Sequence, residues 1–171
     1  TVRPYRQSII DGENGAERVL ALLGNYQETL FSVHHTESWR EMYKHSSSIT
    51  DGIFAMELLP CCLSATRGKI KELDCLSLVR QEHEQRYLWV GKHDWITNPN
   101  WPPLYQVFCG LVAEELAKQD GITKDKALGV VEQAFGSYMT PLVGKKWRSC
   151  CGKGNADIHN RLRRVAQMVP G

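Results

Sequence analysis

Apolar residues recur at Leu104, Val107, Phe108, Leu111, Val112 and Leu116, in steps of three and four. That period puts them on one face of a helix, and the spacing predicts a helix over 104–119. Pro102 and Pro103 stand just ahead of it, where proline suits a first turn whose N–H groups are unpaired anyway. Gly121 is a natural stop, because glycine takes a left-handed helix end without strain. Thr123 can cap a second helix, over 123–139, whose apolar set is Leu128, Val131, Phe135 and Tyr138, widened by Ala127, Val130 and Ala134. So short a connection makes the two helices antiparallel neighbours. Stripes of this kind are packing surfaces, so the pair is read as the scaffold of the fold.

The rest of the chain is arranged around that pair. Residues 1–15 read as irregular, with Pro4 and the Asp11-Gly12 and Asn14-Gly15 turn signals. Ala16 to Leu23 predicts a short helix buried through Val19, Leu20 and Leu23. After Gly24-Asn25 the apolar residues Leu30, Phe31 and Val33 are read as helix continuing towards Tyr43. Ser46 to Thr50 is a polar connector, and Thr50 or Asp51 can cap a helix from Ile53 to about Ala65 that kinks or breaks at Pro60. Ile70, Leu73, Leu76, Val79 and His83 predict a helix from about Lys69 to Arg86. Tyr87-Leu88-Trp89-Val90 is rich in strand formers and fits a short extended piece. Gly91 to Pro103 is read as a loop. Pro141 and Gly144 are expected to end the second central helix, and Lys145 to Gly154 to form a basic loop. Asn155 then caps a last helix with an apolar seam at Ile158, Leu162, Val165 and Val169.

The expected fold is therefore mainly α: one globular domain over 1–171, a bundle of about five or six helices, with short strands as an option. Length and composition agree. The chain has 171 residues, enough to bury a core, and its 42% hydrophobic and 23% charged residues are ordinary for a globular protein. No internal repeat divides it. The longest apolar run, Ile53 to Leu63, is too short for a bilayer and contains Glu57, so no membrane role is expected. No apolar leader segment opens the chain. The six cysteines include two adjacent pairs, Cys61-Cys62 and Cys150-Cys151, and no Cys-x-x-Cys. They read as reduced thiols of a cytoplasmic protein.

Charge changes the picture. The net charge is only +2, but it is unevenly spread. Of 21 basic and 19 acidic residues, seven and one lie between Gly144 and Val165, leaving 14 and 18 elsewhere. Lys145, Lys146, Arg148, Lys153, Arg161, Arg163 and Arg164 are candidates for neutralising phosphates, and Trp147 among them could stack on a base. The leading expectation is a small, non-enzymatic, nucleic-acid-associated regulatory protein that binds the phosphate backbone of DNA or RNA. The same charges would also suit an ordinary solvated face. The alternative is an adaptor that binds protein, or a homodimer closed through Ile158, Leu162 and Val165. An enzyme comes third, using His93 and Asp94 on a loop that also holds Trp95 and Trp101. No hydrolase, P-loop or dinucleotide fingerprint is present. Adjacent cysteines point apart too readily to bind zinc with His159, so neither a metal nor a cofactor is expected.

Overall fold

The computed structural model describes residues 8–49, 54–74 and 101–151, the backbone alone in 145–151. Among these residues it is helical: α1 (Gly15–Gly24), α2 (Thr36–Tyr43), α3 (Leu59–Arg67), α4 (Trp101–Asp120) and α5 (Lys124–Cys151). A single 3-10 turn covers Ser46–Ser48, and a π-helical turn, Phe54–Leu58, runs straight into α3.

The central pair forms on its stripes, except that Val107, expected on the buried face of α4, is exposed. Phe108, Cys109, Val112, Ala113 and Leu116 of α4 meet Ala127, Val131, Ala134, Phe135 and Tyr138 of α5, and all are buried. Gly121 between them takes a left-handed φ of 64°. The amide of Ile122 reaches back to the Ala117 carbonyl at 3.2 Å, closing α4, and the Thr123 hydroxyl accepts the Lys126 amide at 3.3 Å to open α5. Phe135 anchors a cluster of rings, with Tyr105, Phe108, Tyr138, Phe54 and Trp101 centred 4.8 to 6.3 Å from it. Each large side chain so buried contributes roughly 1.5–3 kcal/mol.

Around the pair, α1 packs on α5 and α3, while α3 also touches α2 and α4. α1 begins at an N-cap, Asn14, whose side chain accepts the Glu17 amide at 2.9 Å. Its N-terminal amides, from Gly15 and Ala16, are taken by Asp120 at the end of α4. At its other side, buried Arg18 donates to the carbonyls of Ala65 and Thr66, both at 2.7 Å, and of Gly12 at 2.9 Å. Ala65 and Thr66 lie in the last turn of α3, where carbonyls have no helical donor and carry the negative end of the dipole. A cation there meets both needs.

Several sequence expectations need correction. The helix expected through Leu30–Tyr43 occupies only Thr36–Tyr43. Residue 29 is held otherwise: its amide donates to Cys61 Sγ at 3.4 Å, and its carbonyl accepts from His34 Nε2 at 3.0 Å and the Ser32 amide at 3.1 Å. Phe31 and Val33 are exposed rather than part of a buried face. Residues 69–74, expected as the start of a helix, are not helical. Ile70 and Ile10 exchange both backbone hydrogen bonds in an isolated antiparallel bridge. The remainder of that expected helix, and the extended piece at Tyr87–Val90, lie outside the described residues. At Pro60 helical conformation persists, as a π turn followed by an α-helix with the proline in its first turn. Proline has no N–H for the carbonyl four residues back, so an unbroken α ladder cannot cross it.

Both central helices are longer than expected. α4 starts at Trp101, taking Pro102 and Pro103 into its first turn instead of leaving them in a loop. α5 does not stop at Pro141 or Gly144 but continues to Cys151, so Lys145 to Cys151 is helix rather than loop. Pro141 is on the exposed side, as is Ser137, whose carbonyl loses its donor there and can bond to water instead. Leu142, the next residue, is buried and keeps the helix packed past the proline.

Candidate functional site

The basic segment begins on α5. Lys145, Lys146, Trp147 and Arg148 sit in its last two turns, and the backbone there is helical. Phe135 is the residue of α5 that meets Trp101 and Tyr105, at the start of α4. From Phe135 to Cys151 the helix advances by about 24 Å, at 1.5 Å per residue. The end of α5 therefore runs on past the first turn of α4. Lys153, Arg161, Arg163 and Arg164 lie outside the described residues. So do Ile158, Leu162 and Val165 of the expected seam, and His159.

Of the expected aromatic loop site, Trp101 alone lies among the described residues. His93, Asp94 and Trp95 are outside the described residues, but Trp101 is not a loop residue. It is the first residue of α4, 3% exposed, stacked near-parallel on Phe135 at 6.3 Å and tilted against Tyr105 at 5.3 Å. Its ring is part of the core, which is the commoner fate of a large aromatic beside a helix start.

Three thiols are described, Cys61, Cys62 and Cys109, and all are free and buried. Burial pushes the Cys61 thiol up in spite of the bonds it accepts from Thr29 and Tyr26, and it pushes Cys62 up further. Cys109 is pushed up to about 12, chiefly by burial, although the Tyr105 hydroxyl one turn away donates to it. A thiol so shifted stays protonated near neutral pH and is a poor nucleophile. Among the described residues, the group bonded to the Cys109 thiol is the Tyr105 hydroxyl and not a histidine.

One polar contact had no sequence signal. Tyr26 Oη donates to Glu57 Oε1 at 3.2 Å and lies 3.7 Å from Cys61 Sγ, and the Tyr26 ring meets Tyr138 edge-on at 5.1 Å. Burial raises both phenols, and the negative charge of Glu57 adds to the effect. Residues 26, 57 with 61, and 138 come from three separate stretches, so no spacing could have announced their meeting. The contact links the π turn and the start of α3 to the segment after α1 and to α5, a positioning role.

At the surface, Leu30, Ser32, His34, Thr36 and Trp39 line an open depression at the start of α2. His34 sits 5.1 Å from the Trp39 ring, which lies 4.8 Å from that of Tyr43. Since the Thr29 carbonyl can only accept, His34 Nε2 carries a proton. Phe31, Val33 and Trp39 are exposed beside it.

Among the described residues, no cluster of histidine, cysteine and carboxylate groups could hold a metal ion, and no helix is long and apolar enough to cross a membrane. Compared with protein-family models, with curated proteins and with solved structures, the chain matches none.

Proposed function

We propose that this protein is a small helical regulatory protein that associates with nucleic acid, without catalysis, through phosphate contacts from its basic segment, residues 144–165. The observation that carries this reading is the charge distribution: seven basic residues and one acidic within that segment, against 14 and 18 in the rest of the chain. Lysine and arginine displace condensed counterions from a phosphate backbone, which gives affinity independent of base sequence. The helical backbone at the end of α5 lends further support, because it holds Lys145, Lys146 and Arg148 on one continuous rod beyond the α4 contact. Trp147 adds a ring able to stack on an exposed base. The buried free thiols fit a reducing compartment such as the cytoplasm.

The test is the binding of labelled mixed-sequence DNA and RNA across a range of salt. Affinity should fall with rising salt, with a logarithmic slope of about −0.9 per phosphate contact on duplex DNA and about −0.7 on single strands. The double charge reversal Arg163→Glu/Arg164→Glu should weaken binding and flatten that slope. Unchanged affinity in this variant, or no binding to either nucleic acid at low salt, would overturn the reading.

A second reading, an adaptor that binds another protein, is favoured by the exposed Phe31, Val33 and Trp39. Val33 is 94% and Phe31 59% accessible, and surface side chains this apolar gain from being covered. Loss of partner binding on Phe31→Ser/Val33→Ser, with nucleic-acid binding absent in the parent protein, would favour it over the first.

A further inference from the structure

We draw no further inference here: the strongest candidate, the open surface depression formed by Leu30, Ser32, His34, Thr36 and Trp39 at the start of α2 with Val33 exposed beside it, carries nothing, because nothing in the structure shows what covers it.

Discussion

Asp120 closes one helix and opens another: at the end of α4, its Oδ1 accepts the Gly15 amide at 2.7 Å and its Oδ2 the Ala16 amide at 2.9 Å. These are two of the amides that α1 cannot pair internally, and a carboxylate there also meets the positive end of the helix dipole. Asp120→Ala should therefore lower stability by about 1 kcal/mol, the usual cost of a lost cap. Asp120→Asn, which keeps one acceptor oxygen, should fall between. Urea unfolding of the three proteins measures this, and equal midpoints would show that the cap contributes nothing.

The same junction makes Gly15 hard to replace. A Cβ there would stand 2.8 Å from Leu116 Cδ1, 2.9 Å from Asp120 Oδ1 and 3.0 Å from the Thr66 carbonyl oxygen. The last is backbone and cannot turn aside. Gly15→Ala should destabilise, whereas Gly110→Ala, inside α4 with open space around the new methyl, should stabilise by about 0.5–1 kcal/mol through helix propensity. Opposite shifts in melting temperature are the expected result; a stabilised Gly15→Ala would contradict the close approach.

Arg18 links α1 to the carbonyls that end α3 through two hydrogen bonds, to Ala65 and Thr66, and donates a third to Gly12. Arg18→Met preserves much of the side-chain stem but leaves the Ala65 and Thr66 oxygens buried without the guanidinium. The loss should be on the order of 3 kcal/mol, since bonds to a charged donor exceed ordinary ones and the stranded acceptors are penalised. Arg18→Lys should recover part of it. An Arg18→Met protein with the parent's unfolding midpoint would remove this contact from the account of stability.

Cys109 gives a pH dependence with a definite sign. Its thiol is raised from 9.0 to about 12 in the fold, mostly by burial. Above pH about 9 the unfolded chain releases this proton while the folded one holds it, so the unfolded state gains and stability declines as pH rises. The contribution is intact below about 9 and used up by about 12. Cys61 and Cys62, raised in the same direction, reinforce it. Unfolding free energy measured from pH 7 to 11 should fall less steeply for Cys109→Ala than for the parent. Matching slopes would mean that this thiol does not report on folding.

Local order was legible where its cause was local. The stripes of α1, α4 and α5 follow the helical period, the turn at Gly121 needs only a residue free to take positive φ, and the Thr123 cap acts across three residues. Each of these is decided within a few positions of chain, so the amino-acid order alone determines them. It likewise determines the charge of 144–165, which is composition and needs no fold. Contacts between distant positions were decided only by tertiary structure. Arg18 and Ala65 are 47 residues apart, and Gly15 and Asp120 are 105 apart. Nothing in the spacing of either pair marks it, because chain separation carries no directional signal once the helices have packed. Residues 30–35 have the apolar content of a helix, yet the thiol of Cys61 and the ring of His34 claim the backbone of Thr29. At Pro141 the local rule argued for a stop, and burial of Leu142 together with the exposed position of Ser137 and Pro141 let the helix pass. Trp101 makes the same point for the candidate site. Its position beside two prolines does not reveal which ring it meets, and only the presence of Phe135 across the helix pair, 6.3 Å away, assigns it to the core.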